Sequence, residues 1–351
     1  MSGKQKEIRV AFFDAKPYDR IWFDQLSAEI FIEYFETKLN RETAALAEGF
    51  EVVCAFVNDN LDQETLEALL SRGVRLVAMR CAGYNNVDIR YAYGKMHIVR
   101  VPAYSPYAVA EHAAALLLTL NRRLHKAYNR TRDFNYSLVG LTGMDLHGKV
   151  AGVIGTGRIG RIFIDICNGF GMKVLAYDPY PKDDPAYQSV DLETLLKNSD
   201  VVSLHCPLTE ETRHILNRER LALLKPTAYV INTSRGALID SRALVEALQN
   251  QKLGGAGLDV YEEEAEWFYE DHSEQGVRDE TLELLSVLPN VLITSHQGFL
   301  TREALENIAA VTLENIRQFF AKGALPNEIC YQCAEFGSGS HCQKKQTGRC
   351  F

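Results

Sequence analysis

No stretch of the chain is apolar for long enough to cross a membrane. The most apolar run, residues 113–120, falls well short of the roughly 20 residues a spanning helix needs, and Glu111 and His112 precede it. The first ten residues carry charges and no apolar signal core, so a cytoplasmic protein is expected. Positive charge is in deficit: 38 Lys and Arg stand against 46 Asp and Glu, a net charge of −8, and the basic residues are scattered among carboxylates. A sequence-independent grip on a phosphate backbone needs a basic stripe, so nucleic acid is not expected as a partner. Neither a His-x-x-x-His nor an H-E-x-x-H arrangement occurs, and no catalytic metal is expected. No repeat of fixed period is present beyond an alternation of strand-like and helix-like segments.

Cysteine is modest in number and uneven in place. Cys54, Cys81, Cys167 and Cys206 lie in apolar surroundings typical of reduced, buried thiols. Cys330, Cys333, Cys342 and Cys350 crowd the last 22 residues around Gly337-Ser338-Gly339-Ser340. Four thiols could wrap a zinc ion or an iron–sulfur cluster, but only one C-x2-C pair is present; residues 331–351 read as a flexible tail with unligated thiols, with oxidation left open.

What remains is an ordinary globular composition, 46% apolar and 24% charged over 351 residues, enough for two domains. From Lys149 onward, near-continuously apolar runs at 149–155, 173–178, 200–207, 228–234, 254–260 and 290–296 alternate with helical patterns. Strands covered on both faces read this way, which predicts a doubly wound parallel sheet of the Rossmann kind. A weaker alternation at 8–14, 51–56, 74–80 and 97–101 predicts a second, smaller, flavodoxin-like α/β domain. Val101-Pro102-Ala103-Tyr104-Ser105-Pro106 marks a crossing between the two, and residues 301–322 read as a helix returning to the first. The expected division is residues 1–103 and 300–330 in a discontinuous substrate domain, 104–299 in the dinucleotide domain, and 331–351 in the tail. The apolar helix at 107–124 is a candidate subunit contact.

Gly155-Thr156-Gly157-Arg158-Ile159-Gly160 follows an apolar strand and opens a helix, and Asp178 ends the next strand 18 residues past Gly160. The glycines allow a tight turn and close approach of a pyrophosphate, the helix N-terminus offers free N–H groups to it, and the carboxylate suits ribose hydroxyls while repelling a 2′-phosphate. NAD is therefore expected rather than NADP. Three ionisable residues sit at or just after carboxyl ends of strands: Arg235, Glu264 and His296. A guanidinium fork captures a carboxylate bidentately, an imidazole hands a proton to a carbonyl oxygen, and a glutamate on the other ring nitrogen fixes the tautomer. Together they suit reduction of a carbonyl beside a carboxylate.

The sequence resembles the NAD-dependent D-isomer-specific 2-hydroxyacid dehydrogenases and, within that family, the fermentative bacterial D-lactate dehydrogenases. The resemblance runs from about Ile8 to Ile329. It is carried by Arg80-Cys81-Ala82-Gly83-Tyr84-Asn85-Asn86-Val87-Asp88, Val101-Pro102-Ala103-Tyr104-Ser105-Pro106, Ala110-Glu111-His112, His205-Cys206-Pro207-Leu208-Thr209, Asn232-Thr233-Ser234-Arg235-Gly236-Ala237, Asp259-Val260-Tyr261-Glu262 and Ser295-His296-Gln297-Gly298-Phe299. It implies reversible reduction of a 2-oxo acid by NADH, pyruvate to D-lactate first of all, with Arg235, Glu264 and His296 as the catalytic set. It also implies that Ala82 and Gly83 help hold the substrate carboxylate, with Tyr104 and Phe299 lining the pocket. On the cofactor side it adds Cys206, Pro207, Thr212, Thr233, Ser234 and Asp259. It further implies closure of the two domains over the nicotinamide and a homodimer or homotetramer. Two alternatives stay open: a relative acting on hydroxypyruvate, glyoxylate or a phenylpyruvate-like acid, and an NAD-sensing corepressor-like binding protein.

Overall fold

The computed structural model describes residues 7–332 and 343–351. The chain divides into two compact units, Met1–Ser105 with Thr301–Phe351, and Pro106–Leu300. Each is α/β, built on one parallel sheet.

The first unit carries five strands, β1 (Ile8–Phe12), β2 (Ile30–Tyr34), β3 (Val52–Ala55), β4 (Leu76–Met79) and β5 (His97–Arg100), in the order β2-β1-β3-β4-β5. Strands β3 and β4 are buried at every position, so they carry the unbroken apolar runs of strands covered on both faces. Strand β2 is the sheet edge; its burial alternates, which is why a search for continuous apolar runs misses it. The helix Arg302–Phe320 returns to this sheet, as expected from its pattern, and buries Ala309, Leu313, Ile316 and Phe319 against Val10, Phe12, Val52 and Val99.

The described end of the tail is docked on this unit, which corrects the expectation of a loose tail. Lys344 Nζ donates to the carbonyls of Pro326 and Glu328 at 2.8 and 2.6 Å, and Arg349 Nε donates to that of Gly323 at 2.9 Å. The Cys350 N–H donates to Glu328 Oε2 at 2.5 Å, and the Phe351 ring stacks on His97 with centroids 4.3 Å apart. Cys350 is buried and hydrogen-bonds with the Cys330 thiol; burial pushes its own thiol well up from the usual range. Cys333 and Cys342 lie outside the described residues. Among the described residues no group of three His, Cys, Asp or Glu side chains could hold a metal ion, and no helix is long and apolar enough to cross a membrane.

The second unit carries seven strands: β6 (Val150–Ile154), β7 (Lys173–Tyr177), β8 (Gln188–Ser189), β9 (Val201–Leu204), β10 (Tyr229–Asn232), β11 (Gly255–Leu258) and β12 (Val291–Ile293). Their order is β12-β11-β10-β9-β6-β7-β8, all parallel. The chain begins in the middle at β6, builds outward through β7 and β8, then returns to β9 and builds the other way. That reversal opens a crevice at the carboxyl ends of β6 and β9, where such sheets take ligands. The helix Pro106–Arg122 spends its apolar face inside this unit: Ala110, Ala113, Leu116, Leu117 and Leu120 pack with Val153, Phe163 and Ile231. The buried stripe of this helix belongs to the core of the unit, while Tyr107 at its start stays exposed.

Candidate active site

The crevice is shaped by close approaches that only glycine permits. Gly155 follows β6 with φ +95°, and a Cβ there would stand 2.8 Å from the Cys206 nitrogen. A Cβ on Gly160 would stand 2.0 Å from the Gly155 carbonyl oxygen, so this residue lets the helix Arg158–Gly169 lie against the turn. Gly157 caps that helix without a side-chain bond and has nothing within 4 Å of where a Cβ would be. Uncapped first-turn N–H groups thus face open space beside Thr156, Arg158 and Ile159, which fits a pyrophosphate.

Asp178 directly follows β7. Its Oδ2 accepts from the Thr156 N–H at 2.8 Å and hydroxyl at 3.0 Å, and its Oδ1 from the Tyr180 N–H at 2.9 Å. Partial burial pushes the carboxyl up, but these bonds outweigh it, so Asp178 titrates below the usual carboxylate range and is ionised at neutral pH. On the other side of the crevice, the Ser234 hydroxyl donates to the Cys206 carbonyl at 2.7 Å and the Thr212 hydroxyl to that of Pro207 at 2.7 Å. The Thr233 hydroxyl is buried and finds no partner among the described residues, an orphan that a bound cofactor can satisfy. Beneath them His205, packed at 5.0 Å from the Phe163 ring and 2.9 Å from the Ser203 hydroxyl, is lowered by burial to about 3.

Arg235 leaves the end of β10. Asn232 pins the turn, its Oδ1 accepting from the Ser234 N–H at 3.0 Å and its Nδ2 donating to the Arg235 carbonyl at 2.9 Å. Gly236 sits where a Cβ would come within 2.0 Å of the Tyr261 carbonyl carbon, which brings the arginine loop against the glutamate loop. The guanidinium donates through Nη1 to the Ser234 carbonyl at 2.7 Å, and the rest of its fork has no protein partner among the described residues.

His296 follows β12 in left-handed backbone, φ +53°, a conformation costly for a non-glycine residue. Several bonds hold it there. Its N–H donates to the Asp259 carbonyl at 2.7 Å, and the Tyr269 hydroxyl donates to its own carbonyl at 3.2 Å. On the ring, Nδ1 lies 2.7 Å from Glu264 Oε1, leaving Nε2 without a partner among the described residues. Glu264 Oε2 accepts from the Tyr261 N–H at 2.9 Å. Glu262, in the same acidic run, turns instead to Arg213 at 3.0 Å and His214 at 2.7 Å. The structure therefore brings Glu264 and His296 together and assigns its acidic neighbour elsewhere.

Asp259 holds the segment that follows β12. It is 1% exposed, and its Oδ1 accepts from the Thr294 hydroxyl at 2.6 Å and the Gln297 N–H at 2.8 Å, while Oδ2 accepts from the Gly298 N–H at 2.8 Å. His112 Nε2 reaches Thr294 Oγ1 at 3.0 Å and Asp259 Oδ1 at 3.2 Å. This carboxylate is the anchor of the His296 loop. Sequence reasoning missed Thr294 and Tyr269 as parts of that anchor. Phe299, three residues past His296, is buried.

In the first unit, Ala82 and Gly83 occupy the turn beyond the carboxyl end of β4. Arg100 Nη1 donates to the Ala82 carbonyl at 2.6 Å, and neither the Ala82 nor the Gly83 N–H donates to a backbone acceptor among the described residues. The turn starts from a buried cation: Arg80 donates to the carbonyls of Phe13 at 3.0 Å and Asp14 at 2.6 Å, and lies 4.5 Å from the centroids of both Phe12 and Phe56. Tyr104 lies on the segment that ends this part of the unit.

The chain is similar to known proteins over most of its length. The family model for the D-isomer specific 2-hydroxyacid dehydrogenase NAD binding domain matches residues 114–298. D-lactate dehydrogenase of Escherichia coli strain K12 is 48% identical over 328 residues, spanning 92% of this chain and all of that enzyme. Among solved structures, the pyruvate reductase of Chlamydomonas reinhardtii superposes with a TM-score of 0.86 at 41% identity, over 91% of this chain and 98% of that one. The D-lactate dehydrogenase of Aquifex aeolicus, solved with NAD and lactic acid, gives 0.79 at 33% identity, over 89% and 96%.

Proposed function

Because the chain belongs to the D-isomer specific 2-hydroxyacid dehydrogenase family and is an NAD-dependent oxidoreductase, we propose that it reduces pyruvate reversibly to D-lactate, with His296 as proton donor, Glu264 orienting it and Arg235 binding the carboxylate. Bound NADH supplies the hydride. The N–H groups of Thr156, Gly157, Arg158 and Ile159 would hold its pyrophosphate over Gly155 and Gly160, Asp178 its ribose hydroxyls, and the orphan Thr233 hydroxyl, with Cys206, Pro207, Thr212 and Ser234, its other face.

The chain's own groups account for the rest. The unspent fork of Arg235 takes the two carboxylate oxygens of pyruvate in parallel. Glu264 accepts from Nδ1, so His296 Nε2 carries the proton that passes to the ketone oxygen as the carbon is reduced; in the reverse direction Nε2 takes the hydroxyl proton back. The observation that carries this reading is the 2.7 Å contact from His296 Nδ1 to Glu264, which points the chemistry at the other, unpartnered nitrogen.

The test is absorbance of NADH with a panel of 2-oxo acids, followed by chiral analysis of the product. Pyruvate should give the highest kcat/KM and yield D-lactate. A clear preference for hydroxypyruvate, glyoxylate or phenylpyruvate would refute the substrate, and an L product would refute the mechanism. In the same assay Arg235→Lys should lose mainly in kcat/KM for pyruvate, because a lysine cannot rebuild two parallel bonds.

The assembly proposed is a homo-oligomer of two or four chains. Its support is an apolar patch in the second unit just past the helix Leu124–Arg132: Phe134, Tyr136, Leu138 and Val139 are 71–82% exposed.

A further inference from the structure

The first unit holds a second concave site, at the edge of its sheet opposite the Ala82–Gly83 turn. A cavity of about 430 Å³ is lined by Arg75, Lys95, His97, Phe319, Lys322 and Arg349. Arg75 immediately precedes β4, and His97 opens β5, so this cavity lies at the amino ends of the same strands whose carboxyl ends carry Arg80 and Arg100. The Arg302–Phe320 helix ends here, and Lys322 follows it.

Phe320 completes the lining, and four of the seven lining residues are permanent cations. Arg75 is paired with Glu51 at 3.1 Å. Lys95 lies over the Tyr91 ring, 3.5 Å from its centroid, and Lys322 stands in left-handed backbone; neither meets a carboxylate among the described residues. Arg349 is brought in by the docked tail. Its Nε and Nη2 donate to the carbonyls of Gly323 and Phe319 at 2.9 and 3.0 Å, and its guanidinium lies 5.6 Å from the Phe319 ring centroid, with that of Arg75 at 5.5 Å from the same ring. His97 is held by Glu328 at 2.5 Å, so the buried acid of this region is already engaged. In a chain with net charge −8, such a concentration of cations around an aromatic floor, with Arg75 alone of the four paired to a carboxylate among the described residues, is a local exception.

We propose that this cavity is a binding site for a small phosphate-bearing anion of two or more charges, separate from the dinucleotide crevice. Lys95 and Lys322 provide point charges and Arg349 a fork, a combination that suits phosphate oxygens. The volume falls in the range of small-ligand sites. Because the cavity lies at the opposite edge of the sheet from the Ala82–Gly83 turn, the anion would bind without competing with the 2-oxo acid.

The test is calorimetric titration of the full chain with inorganic pyrophosphate in saturating NADH, which fills the other anion-binding cradle. The expected result is one pyrophosphate per chain, unaffected by pyruvate analogue, with affinity falling tenfold or more in Lys322→Glu and in Arg349→Glu. Both variants should keep wild-type turnover without pyrophosphate, which shows that they fold. If either loses it, Lys95→Gln replaces it with the same expected direction. Absence of binding to the wild type at millimolar pyrophosphate, or unchanged affinity in the variants, would overturn the proposal.

Discussion

Glu264 Oε1 stands 2.7 Å from His296 Nδ1, while Glu262, two residues earlier, gives Oε1 to Arg213 and His214. Two carboxylates in one short acidic run thus have separate histidines. On the reading above, Glu264→Gln should cut pyruvate turnover by about 10²-fold or more, as loss of a tautomer-fixing carboxylate does. The KM for NADH should hardly move. Glu262→Gln should leave turnover near wild type. Stopped-flow and steady-state rates on the two variants decide it; equal losses would remove the distinction.

Asp178 is the expected discriminator between cofactors. Its Oδ2 already takes two bonds from Thr156, so its remaining acceptor capacity is what ribose hydroxyls would meet. Asp178→Ala should raise the KM for NADH and narrow the gap between NADH and NADPH, since a carboxylate no longer repels the 2′-phosphate. Unchanged constants for both cofactors would show that the ribose lies elsewhere.

His205 makes stability depend on acid. Burial lowers it to about 3 in the folded chain, against about 6.5 for an unperturbed histidine. The unfolded chain therefore binds a proton that the folded chain refuses. The contribution is fully present above about pH 6.5 and is lost as pH falls toward 3, at no more than about 1.4 kcal/mol per pH unit. Denaturant melts from pH 7 to pH 4 should show a shallower acid limb in His205→Gln than in wild type. Parallel limbs would mean that the ring charges freely in the fold.

Much of this was legible in the sequence because the signals were local. Six strands of the second unit announce themselves as unbroken apolar runs, and the glycine turn, Asp178, Arg235 and His296 each stand at a strand's carboxyl end. What the sequence left hidden depends on side chains meeting across distance. Strand β2 alternates like a solvated edge, and β8 is two residues long. The anchoring of the His296 loop by Asp259, Thr294 and His112 joins residues 35 to 182 positions apart, with no local pattern to mark it. The docking of the tail likewise rests on Arg349 and Lys344 meeting carbonyls of residues 319–328.

Arg80 is held between two aromatic rings and two carbonyls at 1% exposure, whereas Arg235 is partly exposed with most of its fork unspent. Dicarbonyl reagents attack guanidinium groups that water can reach. Arg80 is thus shielded from such labelling while the protein stays folded, and Arg235 becomes an addressable handle whose protection by substrate can be followed by peptide mass.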